Sequence, residues 1–418
     1  MRKLLLVLCT LFLFAGACSA QMVMVNVKDM GAMGDGVADD TKAFRNAIEN
    51  AKQNKVDVYV PYGKYVISDT IELDDVMLVG NTNGAWNADS SILPTIIPVG
   101  LENPTVKIIK AGGVTGIEFV YNQNFNEPIA FPEAINIIGT GAWIRNVKMF
   151  GAYKGIVAEG KIDASTNPGR LNFENIFMVN IVNTGVYING TRDVSLLENV
   201  EVWSPNVNMT RDRPVGFHLK CNDGLKMSNC FSFALQIGFL FEHSVKDGYA
   251  EGSPWVTMTD CMADYCGEGI VVKCFDDPKR IDKKEDYHST ITVNGGTFWA
   301  HGNSVRIEEC SNVFTMSAAD LRANGGSNVI INGGKNISFA NCRIAKEMPE
   351  HKAPSIVISG GENINISNNI IGCTNVGFLI NDGFKKLLIN NNIITSATNE
   401  AVKDNSKKSK TKSIKDNL

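Results

Sequence analysis

Hydrophobic and polar residues alternate with a period of two in short stretches that recur along the chain. Three C-terminal stretches, Ile337–Asn341, Ile364–Asn368 and Leu387–Asn391, each read apolar, x, apolar, x, Asn. The same frame occurs upstream at 171–175 and 225–229. Alternation of this kind predicts β-strands. Because Asn tolerates the left-handed backbone conformation, each strand is predicted to end in a tight corner.

Other stretches keep this frame less strictly. Val256–Asp260 and Ile291–Gly295 end in Asp or Gly, and Trp143–Asn146 and Leu196–Asn199 are weaker members. Steps between members run from the low twenties to the mid-thirties of residues. An irregular repeat of this length predicts a stack of coils, each with loops of variable length.

A second class of strand lies between the Asn corners. Its members begin with Gly, or with Ser in two coils, and continue with apolar residues at alternate positions. They start at Gly155, Gly185, Gly216, Gly238, Gly269, Ser304, Ser355 and Gly377. Because such coils cannot bury an inward face alone, we expect an all-β solenoid with equivalent residues about 4.8 Å apart.

Composition supports this fold and excludes others. The 418 residues include 44 asparagines and only 22 leucines, which is incompatible with a mainly helical protein. A net charge of −4 argues against nucleic-acid binding, and a mean hydropathy of −0.04 with 20% charged residues argues against a membrane bundle or a disordered chain. The repeat predicts one long solenoid instead of two or three domains, with the corner asparagines forming a ladder.

The N-terminus resembles an export signal. Arg2 and Lys3 precede an apolar run from Leu4 to Phe14, and small residues then lead to Cys18. Residues 1–20 are predicted to be a signal peptide, which places the protein in the periplasm, at the outer membrane or outside the cell. Cys18 also fits a lipoprotein signal, and its lipid would be the only membrane attachment; cleavage after Ala17 or Ala20 stays open.

The mature chain retains eight of the ten cysteines. Cys230, Cys261 and Cys342 directly follow corner residues, where other coils have apolar side chains. They are therefore predicted to be free thiols stacked in the interior, although an exported protein could also form disulfides.

A Gly-Asp-Gly-x-x-Asp-Asp-Thr segment, residues 34–41, precedes a helical pattern. Its carboxylates could hold a metal, but the spacing does not match an EF-hand. We expect instead that Asp39, Asp40 and Thr41 start a helix that continues to about Gln53. Its apolar face, with Ala43, Phe44, Ala47 and Ile48, would close the open end of the solenoid.

Residues 25–73, from Val-Asn-Val-Lys-Asp-Met-Gly-Ala-Met-Gly-Asp-Gly to Ser-Asp-Thr-Ile-Glu-Leu, resemble the N-terminal signature of the pectate lyase-like superfamily, in its rhamnogalacturonase/epimerase-like branch. The resemblance implies a right-handed parallel β-helix of about ten or more coils that acts on or binds a polysaccharide. We expect it to span residues 21–400, with a cap at about 25–60 and a solvated Lys-rich tail at 401–418.

The loops on both sides of the Gly-led strands vary in length, whereas the Asn corner is short in every coil. Two banks of long loops beside one sheet would form a groove suited to a polymer. Strand alternation then identifies the outward positions on its floor. Charged residues concentrate in the middle coils, and the residues expected to contact substrate are Glu159, Tyr187, Asn189, Arg211, Arg213, Asp276, Asp277 and Glu308.

The residues expected to carry the chemistry are His218, Lys220, Glu242, Lys273 and Arg306. β-Elimination on a uronic acid requires a cation at the C6 carboxylate and a base for the C5 proton. Lys220, Lys273 and Arg306 are the candidate cations. His218 is the candidate base, and Tyr187 is the alternative if its pKa is lowered.

Glycoside hydrolysis would instead use two carboxylates. Glu242 and Glu308 lie two coils apart, which predicts about 9.6 Å between them and fits an inverting reaction. The hydrolases of this family usually carry Asn-Thr-Asp, Asp-Asp, Gly-His-Gly and Arg-Ile-Lys in order. Only Asp276-Asp277 and Ala300-His301-Gly302 echo that set.

The sequence therefore favours an exported lyase for an acidic polysaccharide. A hydrolase, a non-catalytic glycan-binding protein and a C5-epimerase remain alternatives. No cofactor is assigned, although calcium is an open alternative whose ligands cannot be chosen from the sequence. The oligomeric state also stays open.

Overall fold

A computed structural model describes residues 24–81, 92–100, 102–161, 167–244, 252–275, 289–346, 348, 350–397, 399–407 and 411–417. The predicted signal peptide with Cys18, and Asp276 and Asp277, lie outside the described residues. No helix in the described part of the chain is long and apolar enough to cross a membrane.

The chain folds into a right-handed parallel β-helix, as the repeat and the resemblance predict. Successive coils pair in parallel, from Val25 with Val58 at one end to Leu387 with Lys412 at the other. One sheet has 13 strands and the other has 26, because most coils contribute one strand to the first and two to the second.

The 13-stranded sheet contains the Gly-led strands. Its members are Ile71–Asp74, Val106–Lys110, Ile135–Ile137, Lys154–Glu159, Thr184–Asn189, Val215–Leu219, Ile237–Glu242, Glu268–Cys274, Val305–Cys310, Val329–Ile331, Ile356–Ile358, Val376–Ile380 and Glu400–Asp404.

The 26-stranded sheet contains the strands on both sides of the corner. Its members are Val25–Asn26, Asp35–Asp39, Val58–Tyr59, Lys64–Ile67, Met77–Val79, Thr95–Pro98, Gly113–Thr115, Glu118–Val120, Trp143–Phe150, Asn172–Val179, Ser195–Trp203, Leu225–Ser228, Phe231–Phe233, Trp255–Thr259, Met262–Cys266, Thr290–Asn294, Thr297–Ala300, Val313–Ser317, Asp320–Ala323, Lys335–Ala340, Arg343–Lys346, Glu362–Ser367, Ile370–Gly372, Leu387–Asn390, Ile393–Thr395 and Lys412–Lys415.

The corner residues have the backbone conformation that the sequence predicts. Asn146, Asn175 and Asn199 have φ of 50°, 53° and 55°, and their amides connect successive coils. Asn175 Nδ2 donates to Asn146 Oδ1 at 3.3 Å, and Asn199 Nδ2 donates to Asn175 Oδ1 at 2.7 Å. Asp260 and Gly295 occupy the same corner with φ of 51° and 69°. The predicted ladder is confirmed in these coils.

Glycine stands near the start of several strands of the 13-stranded sheet, at positions where a side chain would collide with the next coil. A Cβ on Gly155 would lie 2.5 Å from the carbonyl oxygen of Gly185, and one on Gly216 would lie 2.6 Å from that of Gly238. Glycine at this position lets the neighbouring strands approach closely. It thereby fixes where the following residues of each strand lie along the stack of coils.

A helix, α1, spans Thr41–Asn54 and buries Ala43, Phe44, Ala47 and Ile48, as predicted. Asp39 and Asp40 lie just before it, so its first turn contains no acidic residue, contrary to expectation. Asp40 accepts hydrogen bonds from the backbone of Met33 and Gly34 at 2.6 and 3.1 Å. These carboxylates therefore brace the turn before the helix, which is the structural role preferred from sequence. The second helix, α2, is the single turn Met209–Asp212.

The solenoid continues into the Lys-rich C-terminal segment. Glu400–Asp404 pairs with Val376–Ile380, and Lys412–Lys415 pairs with Leu387–Asn390. The described residues of this segment, which was expected to be a solvated tail, are mostly exposed, but Val402 and Ile414 pack against the core.

All eight cysteines in the described residues are free, and seven of them are buried. The prediction of buried thiols after the corner is confirmed for Cys230, Cys261 and Cys342. In the last coils Asn369 and Asn392 occupy this position. Both are buried, and Asn369 Nδ2 donates to Asn392 Oδ1 at 2.9 Å.

Candidate functional site

The outward face of the 13-stranded sheet carries polar side chains in consecutive coils, at one or both of two outward positions in each coil. Tyr187 is paired with His218, His218 with Leu240, Leu240 with Val271, and Val271 with Arg306. The polar positions extend from the strand of Glu159 to the strand of Asn332, a span of roughly 29 Å at the spacing of parallel strands. We call this surface the groove floor.

His218 and Glu242 form a close pair in the middle of the floor. His218 Nε2 lies 2.8 Å from Glu242 Oε2. The hydrogen bond from His218 lowers the pKa of Glu242, and although burial opposes this, the charges of Lys220 and Lys273 lower it further. Glu242 is consequently an ionised acceptor that orients the imidazole.

Two lysines flank the Glu242 carboxylate at distances longer than a hydrogen bond. Lys220 Nζ is 3.8 Å from Glu242 Oε2, and Lys273 Nζ is 3.9 Å from Glu242 Oε1. Glu242 and Lys273 are register partners, and Lys220 directly follows the adjacent strand Val215–Leu219. Both ammonium groups are at the outer limit of an ion pair, which leaves hydrogen-bond donors for an anionic ligand.

Tyr187 stands beside His218 on the next coil. The two rings lie 5.1 Å apart at an angle of 84°. Tyr187 Oη donates to Glu159 Oε1 at 3.2 Å, and Asn189 Nδ2 donates to the same oxygen at 3.4 Å. Burial and the neighbouring Glu159 raise the pKa of Tyr187 above its ordinary value. The alternative in which Tyr187 is the base requires a lowered pKa, which is the opposite of this shift.

Arg306 belongs to a separate network farther along the floor. Its Nε lies 2.9 Å from Glu268 Oε1, and it also contacts Glu308. Asn332 Nδ2 donates to Glu308 Oε2 at 2.8 Å. Since two carboxylates hold its guanidinium, Arg306 is less available to neutralise a substrate than Lys220 or Lys273, contrary to the sequence-based role.

The predicted hydrolase pair is not in register. A shift between Val272 and Lys273 aligns Lys273, the partner of Glu242, with Glu309 and not with Glu308. Burial raises the pKa of Glu308, but hydrogen bonds from Asn332 and Arg306 outweigh it and leave the pKa lowered. The pKa of Glu242 is lowered as well, so neither carboxyl has the raised pKa that is typical of the protonated acid in an inverting hydrolase.

Arg211 and Arg213 lie on the loop wall beside the floor. Arg211 contacts the carbonyl oxygens of Phe125 and Asn126, the former at 2.8 Å, and also pairs with Asp212. Arg211 therefore ties the loop at 204–214 to the loop at 121–133 and does not face the floor. Arg213 is exposed at the C-terminal end of α2.

Sequence reasoning missed Glu268, which contacts Arg306 and accepts from Asn303 Nδ2 at 3.2 Å. It stands one residue before Gly269, and the outward positions were counted only after the glycine. Alternation counted backwards from Val271 assigns position 268 to the inward face, so the period-two pattern could not have identified it.

A metal site is not evident on the floor. Among the residues that the structure describes, no group of three or more His, Cys, Asp or Glu side chains is arranged to hold a metal ion. The carboxylates of the floor, Glu159, Glu242 and Glu308, are each hydrogen-bonded to other side chains.

The N-terminal segment matches a known family. Residues 24–91 match the family described as rhamnogalacturonase A/epimerase, pectate lyase-like. The pre-neck appendage protein of Bacillus phage phi29 is 36% identical over 101 residues, which are 24% of this chain and 9% of that protein. The chain thus spans less than a tenth of this relative's length.

Solved structures share the fold over almost the whole chain. The A-module of the Azotobacter vinelandii mannuronan C-5 epimerase AlgE6 is 18% identical, with a TM-score of 0.61 over 94% of this chain and 98% of that one. The catalytic domain of Agl-KA is 16% identical, with a TM-score of 0.54 over 94% and 68%. The family resemblance predicted from the sequence is matched over residues 24–91, and the parallel β-helix fold is shared over most of the chain.

Proposed function

We propose that this pectate lyase-like parallel β-helix protein binds an acidic, uronic-acid-containing polysaccharide along the groove floor and cleaves it by β-elimination. The observation that carries the proposal is the arrangement of His218, Glu242, Lys220, Lys273 and Tyr187. It brings together a base, two cations and a protonated acid on adjacent coils.

The base in this proposal is His218 Nδ1. When the Nε2–H group donates its hydrogen bond to Glu242, Nδ1 keeps a lone pair that can accept the C5 proton of a bound uronate. Glu242 holds the ring in position and stabilises the imidazolium that forms. Glu242 is thus a positioning residue for the base.

Lys220 and Lys273 neutralise the substrate carboxylate. Removal of the C5 proton places negative charge on the C6 carboxylate, and an ammonium close to it stabilises that charge. The electron pair of the broken C5–H bond forms the C4–C5 double bond, and the C4–O4 bond breaks.

Tyr187 is the proposed acid. Its raised pKa keeps the phenol protonated at neutral pH, so it can transfer a proton to the departing O4 atom. Glu159 accepts the hydrogen bond of the phenol at rest and would orient it. Each bond broken is balanced by one formed, and no additional reactant is needed.

A C5-epimerase is the second candidate, because it shares the first step. If a proton were delivered to the opposite face of C5 before the C4–O4 bond broke, that centre would be inverted without cleavage. The AlgE6 module named above is a mannuronan C-5 epimerase, but its likeness to this chain concerns the fold.

The experiment is incubation with polygalacturonate, rhamnogalacturonan and alginate, each with and without calcium. Elimination would produce the ultraviolet absorbance of a double bond conjugated to a carboxylate, and His218→Ala would abolish it. New reducing ends without this absorbance would indicate a hydrolase. Binding without turnover or C5 exchange would indicate a glycan-binding protein.

We also propose that the protein is exported, on the basis of Arg2, Lys3 and the apolar run to Phe14. Fractionation of cells producing the full chain tests this, and a Cys18→Ser variant separates the two processing routes. Loss of fatty-acid labelling in this variant would support a lipid anchor, whereas an unchanged mass would support simple cleavage.

A further inference from the structure

A row of aromatic side chains lies outside the groove, on the 26-stranded sheet. Its members stand on five consecutive coils, in the strands that follow the corner. We call Phe177, Trp203, Phe233, Tyr265 and Trp299 the aromatic row.

The rings of the aromatic row form an unbroken series. Centroids are 5.1 Å apart from Phe177 to Trp203, and 5.2 Å apart from Trp203 to Phe233. They are 6.2 Å apart from Phe233 to Tyr265, and 5.4 Å apart from Tyr265 to Trp299. All five side chains are outward-facing and at least partly exposed, and Tyr265 is 49% exposed.

Tyr265 is held in an unusual way. Its φ is 54°, in the left-handed region that a bulky aromatic residue rarely occupies, and the strand register shifts between Ala263 and Cys266. Such an irregularity redirects a side chain. Here it places the Tyr265 ring against Trp299 at an angle of 19° and against His301 at 4.3 Å.

We propose that the aromatic row is a second glycan-binding site, which takes a polysaccharide chain through the apolar faces of its sugar rings. The coils present one aromatic ring at each step of about 4.8 Å, a spacing comparable with one sugar unit of an extended chain. The C–H groups of a sugar face are positively polarised and are attracted to aromatic π-systems.

The dimensions of the row favour a linear chain over a second copy of the protein. Four steps make it roughly 19 Å long and only one or two side chains wide, or on the order of 200 Å². A stable protein interface needs about 800 Å² from each partner. Charged residues also end the row, since Asp320 pairs with Arg322 at 2.7 Å and with Arg343 at 2.8 Å on the next coils.

The aromatic row and the groove floor lie on opposite sides of the loops that form one wall of the groove. The chain passes from Trp299 through His301 to Asn303, which contacts Glu268 on the floor side. The second site does not depend on the reaction proposed for the floor, because the rings contain none of its catalytic groups.

The test is affinity electrophoresis of the full chain in gels containing polygalacturonate, alginate or hydroxyethylcellulose. The His218→Ala/Lys273→Ala background prevents turnover and weakens binding at the floor. Tyr265→Gly is the informative substitution, because glycine accepts a φ of 54° and the variant loses the ring without backbone strain. Trp143→Ala and Trp255→Ala are matched controls, with side chains exposed by 41% and 54% outside the row.

Retardation by at least one polymer is expected, weakened about tenfold in Tyr265→Gly/Trp299→Ala and less than twofold in the controls. Unchanged retardation in the row variant, or retardation by none of the three polymers, would overturn the proposal. A concentration-dependent dimer that Trp299→Ala dissociates would overturn it in favour of a second copy. Tyr265→Gly alone should retain its unfolding temperature, which separates lost binding from lost structure.

Discussion

The Asn corner and the groove floor lie in the same coils but are built in different ways. At the corner Asn recurs in most coils, and the amides of three successive coils are linked, as Asn199 Nδ2 donates to Asn175 Oδ1 at 2.7 Å. On the floor almost every equivalent position differs, so that Tyr187, His218 and Leu240 are register partners. Repetition therefore marks the scaffold, and its interruption within one sheet face marks the candidate site.

The largest expected effect is on the floor. His218→Ala should lower the rate of elimination about a thousandfold, because general acid–base catalysis contributes about 10² to 10⁴. The unfolding temperature should change little, since the imidazole is outward-facing. Initial rates at saturating polymer measure this effect. His351→Ala, a histidine outside the floor, is the matched control, and equal losses in both variants would contradict the assignment.

The corner should respond in stability and not in activity. Asn199→Ala should lower the free energy of unfolding by about 2 kcal/mol, through the left-handed backbone and the lost amide bond. Asn199→Gly keeps the backbone conformation and should cost about 1 kcal/mol. Denaturant titration of both variants measures the difference. If Asn199→Ala lost a larger fraction of its turnover than of its folded protein, the assignment of the corner to a purely structural role would be contradicted.

Buried tyrosines should make stability fall at alkaline pH. Burial raises the pKa of Tyr65, Tyr121 and Tyr187. Their contribution is present below the unfolded-state value of about 10 and is lost as pH rises above it. Thermal unfolding from pH 8 to 11 should show this fall, and it should be shallower in Tyr187→Phe. An identical slope in that variant would mean that Tyr187 is not buried in the free protein.

The smallest effect concerns the buried thiols of the interior. Burial raises the pKa of Cys230 well above its ordinary value and raises that of Cys266 to about 12. Both should therefore react with a thiol reagent only on unfolding. Cys221 is the half-buried member of the described set and should react before them. Mass spectrometry after timed alkylation measures the order, and early modification of Cys230 would contradict the buried stack.

The features that the repeat determines, the strands and the outward positions on them, could be predicted from the sequence. Alternation and the Asn corner placed the strands, and they placed His218, Lys220, Glu242 and Lys273 on one face. The partners of these side chains could not be predicted, because they depend on rotamers and on local register. No turn residue in the sequence marks the register shift at Lys273. This shift separates Glu308 from the position opposite Glu242. The ionised state of Glu242 follows from contacts across three coils, which no spacing in the sequence reveals.

The central claim is that the groove floor removes a C5 proton from a uronic acid. The most direct measurement is NMR of polygalacturonate and alginate incubated with the protein in D₂O. The account predicts signals of a C4–C5 double bond, or deuterium at C5, with the wild type, and neither with His218→Ala. Polymer that is bound yet keeps every C5 proton and every linkage would contradict it.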